Sequence, residues 1–308
     1  MKRIALVWVV VLVAQGLALA DGCLMPSEQS WQQRRERALI NEPEQKAVVF
    51  FSRGTEQLII SPSYEGPSAS FAWVVPVPAR PKVEILKGAI FHELSKLTEP
   101  KPPVLKGPAP MAAGVSPETK SVKVLERKTV GAYDVSVLEA TDGQALMKWL
   151  KANKYHLPDK AADPIKGYVK QGWTFVASRI RVPANAKGLH TGTLAPIRLT
   201  FRAERPVYPL KLSSANPDTF MLLVYLVLPS DEIEGKPESI SCGSDPEWLH
   251  KHGTPWRATA SGYPWRRRDY PTLAKLYNGE MQVYSVSRAV GPGECTADAV
   301  WTIPRRKG

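Results

Sequence analysis

The segment Phe71–Val77, FAWVVPV, constrains this chain more than any other. Phe71, Trp73, Val75 and Val77 recur at every second residue, and aromatic and β-branched side chains dominate. Period two with that composition is the pattern of a β-strand. Ala72 and Val74, on the opposite face, are also apolar. Both faces are therefore covered, which places the strand inside a layered fold. Pro76 and Pro78 cannot donate ladder hydrogen bonds, so pairing weakens there.

Similar runs follow along the chain. Ala47–Phe51 and Gln57–Ile60 read as a hairpin joined through Ser52–Glu56, a connection that contains Gly54. Strands are expected near Val122–Leu125 and Val130–Leu138, and two longer ones at Thr174–Val182 and Ile197–Ala203. In the last of these Ile197, Leu199 and Phe201 point inward and Arg198, Thr200 and Arg202 outward. Tyr208–Leu212 is a short strand kept near an edge by Pro209. Thr219–Leu228 is almost continuously apolar; its ten residues are half a membrane span, so it reads as a buried strand. One more strand is expected at Met281–Ser287.

Helices are fewer. Pro81 suits a first helical position, and Leu86, Ile90, Leu94 and Leu97 make one stripe. His92 projects away from that stripe at ~100° per residue and reads as solvated. Thr141-Asp142-Gly143-Gln144 is a capping box with Thr141 at the cap, followed by Ala145, Leu146, Trp149 and Leu150 on one face. Asp163-Pro164 is a second start signal, for a short helix carrying Ile165, Tyr168 and Val169. The expected class is α+β, mainly antiparallel β-sheet with a few short helices packed on it.

Residues 1–20 read as a secretory signal peptide. Lys2 and Arg3 precede an apolar run from Ile4 to Ala14, and Ala18-Leu19-Ala20 offers a cleavage site after Ala20. Cys23 as a lipoprotein start is the rival, and Asp21 fits that signal poorly. The remainder divides into a β-rich part with one helix (21–98), a Pro-rich connector (99–118), an α+β half (119–230) and a loop-rich basic extension (231–308). It is long enough to bury a large core. Losing Lys2 and Arg3 lowers the formal charge from +12 to +10. A basic exported protein suits anionic surfaces such as phospholipid, lipopolysaccharide, teichoic polymers or nucleic acid, although a high pI alone is at least as compatible with a plain soluble protein. An exported setting permits disulfides. Of Cys23, Cys242 and Cys295, the last two share a loop-rich setting and are the expected pair.

In this order, YEGPSASFAWVVPVPARP, LMKWLKANKYHLP, GWTFVASRIRV, PIRLTF and VYPLKLS resemble the bacterial domain of unknown function 2330 family. The exported start with a Cys soon after cleavage adds to the likeness, which runs from about residue 21 to about residue 230. Many members open with two nearby cysteines, whereas only Cys23 stands here. The resemblance implies an exported protein and assigns no catalytic residue.

Candidate chemistry is sparse. The chain has no G-x-S-x-G elbow, H-E-x-x-H helix or paired C-x-x-C. Cys242-Gly243-Ser244 begins like a thiol-protease opening, but Asp245-Pro246 does not continue it, and a half-cystine is the plainer account. His250 and His252, with Cys242, Asp245 and Glu247 upstream, are metal-type donors. Pro246, Gly253 and Pro255 argue against the strand that would align both histidines, so neither a metal nor a cofactor is assigned. Trp256, Trp265, Arg266, Arg267 and Arg268 interleave rings with guanidinium groups and form a candidate patch for sugars or phosphates, or a loop packed onto the sheet. If Thr174–Val182 and Ile197–Ala203 pair as a hairpin, Arg179, Arg181, Arg198 and Arg202 share one face, either an anion-binding patch or four side chains simply solvated on exposed strands. The expected function is an exported cell-envelope protein that binds or scaffolds and does not catalyse. A hydrolase acting on an envelope polymer or peptide is the alternative. Expected partners are an anionic envelope component or another envelope protein, with no nucleic acid and no transmembrane span in the mature chain.

Overall fold

A computed structural model describes residues 23–26, 44–61, 63–65, 71–98, 123–130, 133–153, 155, 158–180, 191–193, 195–216, 218–235, 237–241, 258–259 and 269–304. Strand β2 (Glu44–Ser52) turns directly into β3 (Thr55–Ile60). The turn residues Arg53 and Gly54 both have positive φ, 47° and 73°. That left-handed pair matches the twist of flanking strands, so the hairpin loop is two residues and not the expected five.

The other side of β2 is taken by a strand far along the chain. β13 (Phe220–Pro229) runs parallel to it, with Val49 opposite Leu226. β16 (Met281–Val290) then pairs antiparallel with β13, and β15 (Ala258–Thr259) lies at that edge. Beyond β3 come β11 (Ile197–Arg202) and β6 (Lys82–Ile85). The order of this seven-stranded sheet is β15-β16-β13-β2-β3-β11-β6. A second sheet has five antiparallel strands: β1 (Cys23–Pro26), β5 (Phe71–Val77), β9 (Thr174–Ile180), β8 (Tyr133–Glu139) and β7 (Lys123–Val130), in the order β1-β5-β9-β8-β7. Two small sheets complete the set. One pairs β4 (Ser63–Glu65) with β10 (Thr191–Thr193); the other joins β12 (Val207–Tyr208), β17 (Ala299–Thr302) and β14 (Glu238–Ser241). The fold is α+β as expected, with the β2–β13 pair making the large sheet mixed.

The two main sheets pack face to face. Trp73, Val75 and Val77 of β5 share one core cluster with Val49, Leu58, Leu199 and Leu226 of the opposite sheet, and Trp73 is wholly buried. Each outer face is covered by helices. Val74, Phe175 and Ala177 lie under α2 (Gly143–Ala152) and α3 (Ala162–Lys170). Val48, Phe50, Ile59, Tyr225 and Val227 lie under α1 (Ile90–Thr98) and α4 (Leu273–Leu276). This explains why β5 and β13 lack a polar face: alternate side chains enter the sandwich or a helix layer. Among the described residues no helix is long and apolar enough to cross a membrane.

Several local expectations shift. Lys82–Ile85 is the edge strand β6 and not the start of a helix, and α1 begins only at Ile90. Its inner residues Ile90 and Leu94 are buried and His92 is exposed. The cap of α2 is Asp142 and not Thr141; Asp142 Oδ1 accepts the Ala145 N–H at 2.8 Å. A carboxylate suits the positive end of a helix better than a hydroxyl does. The next helix begins at Ala162, after a 3₁₀ turn over Asp159–Ala161, so Asp163 sits in its first turn and pairs with Lys166. After Tyr208 the chain enters a 3₁₀ turn, Lys211–Ala215, where a strand was expected. Both main sheets draw strands from before and after the 99–118 segment, which lies outside the described residues. Past residue 231, β16 and β17 are integral to the sheets.

Candidate functional site

The β2–β3 turn, the end of β13 and the segment after β17 enclose a cleft of about 220 Å³. Strand alternation builds its floor. Ala47, Val49 and Phe51 point into the sandwich from β2, and Leu226 and Leu228 do so from the parallel β13. After Pro229 the chain turns, with the Glu232 N–H donating to Pro229 O at 3.2 Å, and Ile233 folds back into the core. The Glu234 N–H donates to Pro304 O at 2.8 Å, which brings Ile303 alongside. Phe51, Leu228, Ile233 and Ile303 are the apolar lining; Arg53, Asp231 and Glu232 form the rim.

The rim is held by hydrogen bonds between its own charged groups and the turn. Glu232 Oε2 accepts the backbone N–H of Arg53 at 2.9 Å, and Oε1 accepts the Ser52 hydroxyl. The Arg53 Nε is 3.5 Å from Glu232 Oε1, while most of its side chain is in solvent. These bonds stabilise a non-glycine residue in the left-handed region, which otherwise disfavours it. Asp231 accepts the Tyr277 hydroxyl with both oxygens, at 2.8 and 3.0 Å. That hydrogen bond raises the phenol pKa, so Tyr277 stays a donor. With one guanidinium and two carboxylates, the rim is net negative on a strongly basic chain.

Behind Phe51 lies a buried acid. Glu56 stands opposite Phe51 on β2 and Phe201 on β11 and has no exposed surface. Its Oε2 accepts the Val207 N–H at 2.9 Å, and Oε1 has no hydrogen-bond partner. Burial pushes its pKa well above the ordinary carboxylate value, against the smaller lowering effect of the Val207 N–H.

Other buried polar groups join elements. Glu93 of α1 accepts the N–H groups of Thr272 (2.9 and 3.0 Å) and Leu273 (2.9 Å), capping α4. Gln45 donates to Ser213 Oγ and accepts from the Tyr208 hydroxyl, both at 2.6 Å. The Tyr168 hydroxyl donates to Asp298, which also accepts the Lys211 N–H at 2.9 Å. Burial raises the Asp298 pKa, opposed by those two donors.

Arg179 stands apart from Arg198 and Arg202, so the expected hairpin does not form. β9 and β11 lie in different sheets, because β9 pairs with β5 and β8 while β11 pairs with β3 and β6. Arg179 donates to Asn153 O, with its guanidinium 5.4 Å from the Tyr155 ring centre. Arg198 binds Glu84 Oε2 at 2.8 Å and Gln57 Oε1 at 3.3 Å. Lys82 first, and then Arg198, lower the Glu84 pKa. Arg202 donates to Thr55 Oγ1 at 3.0 Å. Arg181 lies outside the described residues. So do Trp256, Trp265, Arg266, Arg267 and Arg268, the histidines His250 and His252, and Cys242. Cys295 is buried with a free thiol, which donates to Gly291 O at 3.7 Å. Burial, helped by the Glu294 charge, pushes its pKa up to about 12. The cleft residues were not singled out in the sequence; the one signal was Asp231-Glu232-Ile233-Glu234, an acidic run in a basic chain.

Two packed sheets with helices on their outer faces and a small charged-rim cleft at one end define an α+β sandwich. The chain belongs to a bacterial family, DUF2330, described as an uncharacterized protein conserved in bacteria, whose model matches residues 31–251. No curated protein matches it. Among solved structures, the baculovirus P35 crystal structure is similar at a TM-score of 0.38 and 8% identity, covering 88% of this chain and 98% of that one. At that score and identity the likeness carries nothing about function.

Proposed function

We propose that this is an exported cell-envelope protein that binds or scaffolds another envelope protein and does not catalyse. The observation that supports this reading is the cleft, an apolar floor beneath a charged rim whose carboxylates are already held. Glu232 anchors the β2–β3 turn, and Asp231 takes the Tyr277 hydroxyl with both oxygens. A hydrolase needs a carboxylate or imidazole poised to exchange a proton with substrate or water. Groups committed to holding a turn suit recognition better. The leader-like start, the basic charge and the family resemblance favour export.

The test fractionates cells of the source bacterium and crosslinks the mature protein in its envelope, comparing the parent with Ile233→Asp, which places a charge on the floor. The expected result is a processed protein in the envelope fraction, with a crosslinked envelope partner that the variant loses. An unprocessed protein in the cytoplasm, or identical crosslinks from parent and variant, overturns the proposal.

A further inference from the structure

We infer that the cleft at the β2–β3 turn receives a lysine side chain of a partner polypeptide. This inference rests on the binding reading above and names the chemistry that the site would recognise. Three features of the site lead to it.

The first is size. About 220 Å³ lies below the ~300–1,000 Å³ range of pockets for drug-sized ligands, and it suits one long side chain. The second is the distribution of polarity. Phe51, Leu228, Ile233 and Ile303 make the inner lining mainly apolar, while the charges stand at the mouth. A lysine has the matching profile, an apolar four-carbon stem ending in a charged head that stays near water. The third is charge. Arg53 is matched by Glu232, which leaves the Asp231 carboxylate to set the sign of the mouth. A cation is attracted there although the chain as a whole is basic.

The rim also separates lysine from arginine. An arginine fork needs two carboxylate oxygens presented side by side. Both oxygens of Asp231 already accept the Tyr277 hydroxyl, and Glu232 is bound by Ser52 and by Arg53 on its two oxygens. A compact ammonium offers three rotatable donors and can use any remaining lone pair. A compact ammonium with rotatable donors therefore suits these partly used oxygens better than a fixed planar fork.

The experiment follows the methyl signals of Ile233 and Ile303 by nuclear magnetic resonance on the mature full chain. The probes are N-acetyl-lysine methylamide and its uncharged counterpart N-acetyl-norleucine methylamide. The expected result is saturable shifts at both isoleucines, with the lysine probe binding at least about tenfold tighter and losing that advantage in Asp231→Asn. Asparagine keeps an oxygen for the Tyr277 hydroxyl, so the rim stays built. Equal affinity for the two probes overturns the inference, because the cleft would then be only an apolar notch. Absence of shifts overturns it as well. The basic tail Arg305–Lys307 follows Pro304, whose carbonyl is bound beside the rim. The titration is therefore repeated with Arg305→Ala, Arg306→Ala and Lys307→Ala combined. A lysine response confined to that variant assigns the cleft to the chain's own tail and overturns the partner. Failure of these titrations leaves the envelope crosslinking result standing, and failure of that crosslinking leaves binding of the probes measurable in solution.

Discussion

Replacing Glu56 by glutamine should remove a pH dependence from the stability of the fold. Below the ordinary carboxylate value of about 4.3, the group is neutral in the folded and the unfolded chain alike. As the pH rises, the unfolded chain releases its proton first, because burial holds the folded pKa well above that value. The folded state then binds more protons than the unfolded one. The free energy of unfolding accordingly falls by about 1.4 kcal/mol per pH unit until the folded pKa is passed. The stability is thus fully present at low pH and is lost as pH rises through that window. Glutamine is neutral throughout. Its carbonyl can still accept the Val207 N–H, and its amide takes the place of a carboxyl O–H that is equally unpartnered at Oε1. The two proteins should therefore be similar in stability at low pH, and the parent should fall progressively below the variant as pH increases. Urea unfolding of both proteins from about pH 4 to about pH 9 gives the difference directly, since every other titrating group cancels. A difference that stays flat with pH refutes the buried neutral carboxyl.

Trp73→Ala should destabilise by roughly 3–5 kcal/mol, because the ring is fully buried between the two sheets; calorimetry showing a parent-like melting temperature counts against that placement. Glu93→Ala strips two buried N–H groups at the start of α4 of their acceptor and should cost about 3 kcal/mol. Amide exchange at Thr272 and Leu273 should rise in that variant, and unchanged protection contradicts the cap. The Cys295 thiol should alkylate slowly in the native protein and quickly in denaturant without reductant, because its pKa is raised by burial. Mass spectrometry that finds Cys295 reactive only after reduction replaces the free thiol with the expected bridge to Cys242.

Strands whose two faces enter different apolar layers were legible in the sequence. Phe71–Val77 and Thr219–Leu228 announce burial through composition alone, and neither needs knowledge of its neighbours. The β2–β3 hairpin was legible for the same local reason, although not the two-residue length of its turn. Strand partnership was not. Arg179 and Arg198 lie on consecutive long strands, and pairing them is the natural local guess, yet the chain crosses to the other sheet between them. Helix α4 is only four residues, LAKL, too short to display a period. Its first N–H groups are held by Glu93, which lies far earlier in the chain. The cleft was hidden for a related reason. Phe51, Leu228, Ile233 and Ile303 are each unremarkable apolar residues, and only the closing of the sheets brings them to one place. The edge strand β6 was misread because Lys82–Ile85 is too short for its alternation to outweigh the helix signal of Pro81.

The place of β2 in the large sheet sets a timetable for the chain. Val49 meets Leu58 almost at once but must wait for Leu226 on its other side. Closing a long loop costs entropy before the contact repays it, and pairings of this range slow the folding of β-proteins. A chain released from a ribosome or a pore with its N-terminus leading holds out a hairpin with an open apolar edge until Phe220–Pro229 arrives. β13 in turn stays half-paired until Met281–Val290 follows. An unpaired apolar edge is a template for pairing with the wrong strand. The large sheet is therefore finished only when its late strands arrive, and until then the order in which the chain emerges matters alongside the stability of the finished sandwich.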